Sequence, residues 1–284
     1  MGDIFDVSVV PLSDFLAIIR MSFMVRVIVV GFFVSLCAAL LGVSLVLKRY
    51  AMIGTGLSHV GFAAMVVAGV IDVAPVAFSI PIVIGAAFLL LRLNDSSKIN
   101  GDSAVALVST SGLALGVIIM GLTTGVTLEI CNILFGSPLF ITTLDMQISV
   151  AMSIIVIILF IVFYRQLFAV TYDEDFAKAT GVRVQVFKSM LALLTAVTVV
   201  IGMRMMGALL ITSLTLFPAL SAMRICKRFL SVVIASAIIG MVCYLVGISV
   251  SVIINIPPGA SVVGVNLIAY MLCCGLGLLR RGGR

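Results

Sequence analysis

Long apolar stretches recur along this chain with only short polar breaks between them. A hydrocarbon core about 30 Å thick takes roughly 20 helical residues to cross. Nine stretches meet or approach that length: 25–47, 52–70, 73–91, 104–124, 146–164, 185–203, 205–222, 229–254 and 260–279. Nothing alternates as a barrel strand does. Lipid cannot satisfy backbone N–H and C=O groups, so each stretch is expected to bond within itself as a helix. The pattern predicts an all-α fold, a polytopic transmembrane helical bundle of about nine helices (eight to ten) forming a single domain over 1–284.

Two segments fall outside that pattern. Residues 12–24 are apolar but short and broken by Asp14 and Arg20, so 1–24 read as an interfacial N-terminal segment. Residues 1–14 carry Asp3, Asp6 and Asp14 and no basic residue, which is unlike a cleavable signal; the first apolar segment is expected to stay in the mature protein. Residues 127–143 mix Glu129, Asn132, Gly136 and Pro138 with apolar positions, which suits a bent or re-entrant piece better than a straight span.

Composition agrees with a membrane domain and narrows the function. Only 10% of residues are charged and 63% are hydrophobic, against about 25% charged in soluble domains. The net charge of +6 does not point to nucleic acid, because the basic residues sit between apolar runs, where they orient helices. With the N-terminus outside, all of the 17 Lys and Arg except Arg20, Arg26 and Arg204 fall on the cytoplasmic side. The C-terminus is then cytoplasmic. None of the six cysteines forms a C-x-x-C pair, and they read as small packing residues. The chain has no Walker-type G-x-x-x-x-G-K-[ST], H-E-x-x-H or G-x-S-x-G motif, so an enzyme is not expected.

The polar stretch at 172–187 (YDEDFAKATGVRVQVF) is the most informative. Asp173, Glu174 and Asp175 open it, Ala177 and Ala179 favour helix, and Gly181 ends it. A short amphipathic helix there, between two spans, suits docking into a groove on a soluble partner as well as it suits an ordinary solvated loop helix.

His59 is the single histidine and lies inside the second predicted span. Neutral imidazole is the commonest metal ligand, and an intramembrane ionisable group is a functional candidate; a packing histidine bonded to a neighbouring helix is the alternative. Met203, Met205 and Met206 beside Arg204 offer thioethers suited to copper(I), although packing is the commoner role. Gly112 and Gly116 form a G-x-x-x-G on the fourth span, which fits either a dimer face or an internal contact.

Several motifs, in order, resemble the permeases of zinc/manganese/iron-type ABC importers over roughly residues 25–280. The acid-acid-Phe-Ala pattern at Glu174–Ala177 with Gly181-Val182 looks like that family's coupling loop. Leu41-Gly42-Val43 through Lys48-Arg49, Leu57-Ser58-His59, and Asp102 with Ala104-Val105 before Ala114–Val117 are similar to its first, second and fourth spans. Leu134-Phe135-Gly136, Gly207–Pro218 and Pro258-Gly259-Ala260 agree further along.

The resemblance implies a homodimeric permease in a bacterial inner (plasma) membrane, driven by a separate cytoplasmic ATP-binding subunit. An extracytoplasmic metal-binding protein would supply it. The cargo would be a divalent metal ion, zinc first, with manganese or iron as alternatives, and no cofactor would be bound stably. It also implies a coupling helix at 172–182 using Asp173, Glu174, Asp175, Phe176, Ala177 and Gly181, and an ion path through His59 and the residue four positions before it. That residue is Thr55 here, where the family usually has Asp, and Ser137 stands where Asp often follows Leu-Phe-Gly. Asp72, Glu129 and Asp145 are candidate replacement anions near the outer mouth. The competing reading is a stand-alone secondary transporter or channel. The acids lie in loops and at span ends rather than mid-span, which argues against it.

Overall fold

The structure, a computed structural model, describes residues 21–48, 50, 52–95, 101–123, 143–254 and 256–282. The described residues are almost entirely helical, with no strand among them. Among the described residues eleven helices follow one another: α1 Ser22–Leu47, α2 Ile53–Val70, α3 Pro75–Asp95, α4 Gly101–Leu122, α5 Thr143–Val162, α6 Tyr164–Tyr172, α7 Glu174–Ala179, α8 Val184–Met206, α9 Ala208–Ile225, α10 Phe229–Ile254 and α11 Pro258–Gly282. Every predicted span coincides with one of the nine longer helices. Eight of these are long and apolar enough to cross a membrane, and α5 with α6, bent by 69° at Phe163, makes a ninth if the pair is one span. Of the expected interfacial segment at 1–24, residues 1–20 lie outside the described residues and Ser22–Met24 instead begin the first spanning helix; the expected re-entrant piece at 127–143 lies outside them except for Thr143, which opens α5.

α1 is the hub. Its apolar stretch is 72% buried, against 22% for α4 and α11, and it packs against α5, α8, α9 and α10. Without a hydrophobic drive between helices in lipid, close approach depends on small residues and interhelical hydrogen bonds, and α1 has both. A Cβ on Gly42 would run into the Thr215 carbonyl of α9. The Ser236 hydroxyl of α10 donates to the Ala39 carbonyl at 3.0 Å, and the fully buried Tyr244 hydroxyl donates to Val27 O at 2.8 Å.

The G-x-x-x-G of the fourth span proves to be an internal contact. A Cβ on Gly112 would lie 3.0 Å from Val60 N and 3.1 Å from His59 C, so α4 rides on the backbone of α2. One turn on, a Cβ at Gly116 would press on the Phe62 ring.

α8 and α9 are joined by one residue, Gly207, at φ 85 and ψ 157. That region is essentially closed to side chains with a Cβ. The methionine cluster packs: Met203 and Met206 are buried, and Met203 Cε fills the space beside Gly61.

At the end of the bundle where α1 finishes and α2 begins, the chain leaves α5 through α6 and forms the six-residue α7. The predicted segment at 172–182 is thus shorter as a helix, because Tyr172 closes α6 instead. Periodicity did not reveal α6, since an apolar run carries no record of where it bends.

Candidate functional site

Two places carry the chemistry expected from sequence. The first is on α2. His59 and Thr55 are one turn apart and both half-buried. His59 Nδ1 lies 2.7 Å from the hydroxyl of Ser109, a buried residue of α4. Gly112 makes this pairing possible, because it is the missing side chain there that lets α4 reach α2. His59 is six residues into α2, roughly 9 Å along the axis, and Val70, at the far end, is roughly 17 Å further on.

Asp72, just past that far end, is exposed and sits at φ 56 in the turn to α3. It is therefore too far to share an ion with His59. Glu129 and Ser137 lie outside the described residues. Among the described residues, no group of three or more His, Cys, Asp or Glu side chains comes together as a ready-made metal site.

The second place is α7. Asp173 caps its start, accepting from Asp175 N and Phe176 N at 3.0 Å each. Its end is a Schellman closure: Gly181 N donates to Lys178 O and Val182 N to Ala177 O, both at 3.0 Å, with Gly181 at φ 83. A helix of six residues is marginal by itself, so both caps and tertiary contacts hold it. Ala177 is fully buried in a small apolar cluster with Val170 of α6 and Val184 of α8. Phe176 and Tyr172, by contrast, are exposed at 64% and 79%. An open recess of about 640 Å³ beside α7 is lined by Glu174, Lys178, Lys188 and the stretch 182–186.

Glu174 faces inward. Its Oε1 lies 2.9 Å from Lys48 Nζ at the end of α1, and its Oε2 lies 2.7 Å from Lys188 Nζ in α8. The two lysine side chains are only 4% and 10% exposed. Burial raises the carboxyl's pKa, but hydrogen bonds from Lys188 and Lys48, together with their charges, outweigh it and hold Glu174 below the ordinary glutamate range. Lys178 and Asp175 pair at 3.4 Å on the exposed face, where such a pair contributes little.

Comparison with known proteins bears on the chain as a whole. The profile of the ABC 3 transport family matches residues 20–276. The chain belongs to that family. It is accordingly a multi-pass membrane permease and not an enzyme; in ABC 3 transporters ATP hydrolysis is carried by a separate subunit.

Among similar proteins is the high-affinity zinc uptake system membrane protein ZnuB of Haemophilus influenzae, 29% identical over 85% of this chain and 93% of its own length. Another is the manganese transport system membrane protein MntC of Halalkalibacterium halodurans, 26% identical over 85% and 83%. The fold matches a chain in the structure of PsaBC from Streptococcus pneumoniae in complex with Fab, with a TM-score of 0.83, 23% identity, and 93% and 95% coverage. The resemblance to metal-uptake ABC permeases read from the motifs is borne out.

Within this ABC 3 chain, sequence reasoning singled out His59, Thr55 and the 173–181 segment but missed Ser109, Lys48 and Lys188. Ser109 carries no signal of its own; only the G-x-x-x-G nearby hinted at close contact. Lys48 and Lys188 were read as topology charges.

Proposed function

We propose that this chain forms half of the translocation pore of an ABC importer for a divalent transition-metal ion, working as a homodimer. A separate cytoplasmic ATPase docks at α7, and an extracytoplasmic metal-binding protein delivers the ion. The observation that carries the reading is α7 itself. It is a rigid helix, capped at both ends, with Ala177 anchored and Phe176 and Tyr172 presented outward at the lysine-rich end of the bundle. Exposed aromatic side chains on a pre-organised element suit a protein partner, and the neighbouring recess provides a rim for it. The names of the relatives support a metal cargo, and membership of the ABC 3 family supports ATP-binding and substrate-binding partners.

His59 is the proposed ion-path ligand. With Nδ1 engaged by Ser109, Nε2 is the nitrogen left for an ion. Thr55 adds a neutral oxygen on the same helix face. Imidazole with hydroxyl neighbours favours Zn²⁺ over Mn²⁺, which prefers carboxylates. Two copies of so sparse a site, one from each half of the dimer, would hold the ion weakly enough to release it, as conduction requires.

The test is ATP-dependent uptake of labelled Zn²⁺ and Mn²⁺ into vesicles holding the permease with its ATPase and binding protein. His59→Ala should lower uptake at least about tenfold while assembly survives. Undiminished uptake removes His59 from the path. Cation movement by the permease alone, without nucleotide, would favour the stand-alone transporter instead.

A further inference from the structure

The Lys48–Glu174–Lys188 bridge borders the recess beside α7, with the Glu174 side chain 35% exposed, and ties α7 to two other helices. The apolar cluster under Ala177 joins α7 to α6 and α8. The reach from α7 to α1 runs through Lys48, 126 residues away in sequence. Both carboxylate oxygens are used, one on each lysine. Lys48 closes α1, with its own N–H bonded back to Ser44 O. Lys188 is in the second turn of α8. Of the eight single spanning helices these two have the most buried apolar stretches, at 72% and 67%. α1 passes contacts on to α5, α9 and α10, while α8 packs against α3.

We propose that Glu174, held by Lys48 and Lys188, is the junction that transmits displacement of α7 into α1 and α8, and so into the pore. It is a positioning device rather than an ion site. The inference rests on α7 being the ATPase-docking helix and adds how that helix is tied to the pore.

Geometry favours ionic over apolar attachment here. Ala177 contributes a single methyl to its cluster, so apolar contact seats α7 on α6 and α8 with little directional hold. Two charge-assisted hydrogen bonds at 2.7 and 2.9 Å fix both distance and direction. Because the lysine side chains are nearly enclosed, water competes poorly for them.

The readout is the number of Zn²⁺ or Mn²⁺ ions moved per ATP hydrolysed, in vesicles holding the whole transporter. Loss of folding lowers uptake and hydrolysis together and leaves that ratio alone, whereas a broken linkage lowers it. Lys48→Met and Lys188→Met should retain the ATPase subunit on purification and keep hydrolysing ATP, yet move at least about fivefold fewer ions per ATP, the lower edge of usual coupling strengths. Lys48→Arg and Lys188→Arg should restore the ratio. Glu174→Gln should show the same fall; should it fail to accumulate, the lysine variants carry the test.

An unchanged ratio in both methionine variants, with the wild type coupled, would overturn the junction and leave the docking reading standing. So would loss of the ATPase subunit in Glu174→Gln alone, since Glu174 would then touch the partner directly. A wild-type permease that needs no ATPase would sink the docking reading and the junction with it.

Discussion

Gly112→Ala probes the contact on which the His59 site depends. The added Cβ would meet three backbone atoms of α2: Val60 N at 3.0 Å, and His59 C and Val60 Cα at 3.1 Å. These contacts are about half an ångström inside the usual optimum for such atoms. Backbone cannot rotate away as a side chain can, so α4 must move as a body. A movement of that size would stretch the 2.7 Å His59–Ser109 pairing to the edge of hydrogen-bonding range.

Alanine also gains about 0.8–1 kcal/mol of helix propensity over glycine. Gly85→Ala is therefore the reference: it takes the same gain in α3 with nothing within 4 Å of the new methyl. The difference between the two variants isolates the overpacking cost, about 1–3 kcal/mol. Thermal unfolding in detergent should place Gly112→Ala several degrees below Gly85→Ala, at roughly 2–4 °C per kcal/mol for a chain of this size. Metal uptake should fall in Gly112→Ala and not in Gly85→Ala. Equal melting temperatures and equal uptake would refute the claim that glycine at 112 sets the α2–α4 spacing.

Other substitutions test the remaining contacts. Gly181→Val forces a β-branched residue to φ 83, costing roughly 1–3 kcal/mol of local strain; it should unseat the end of α7, seen as ATP hydrolysis with reduced uptake, and normal uptake would count against the docking role. Tyr244→Phe leaves Val27 O without its interhelical donor and should lower stability by about 1 kcal/mol, read from thermal unfolding. Because Glu174 is held below the ordinary glutamate range, the stability it contributes is fully present above the unfolded carboxyl pKa of about 4.3 and is lost as pH falls through the lowered folded value. The stability gap between wild type and Glu174→Gln should be constant at neutral pH and close only in acid, and a gap that closes between pH 6 and 7 would contradict the bridge.

What was legible in the sequence was what one dimension can encode. The crossing helices were visible because lipid demands about 20 apolar residues in a row wherever the chain crosses. Both ends of α7 were visible too, since helix ends draw on residues within a few positions: Asp173 caps its own next turn, and Gly181 takes a backbone angle that side chains avoid. His59 stood out by being alone in a span.

Only the tertiary structure decided which faces meet. Gly112 and Gly116 advertised a close approach without naming a partner, and α2 supplied it. Ser109 acquired its role 50 residues from His59. Lys48 and Glu174, 126 residues apart, became a pair because α1 ends where α7 is folded back against it. Burial beside a partner sets the strength of such contacts, and no local pattern records burial beside something that distant in the chain.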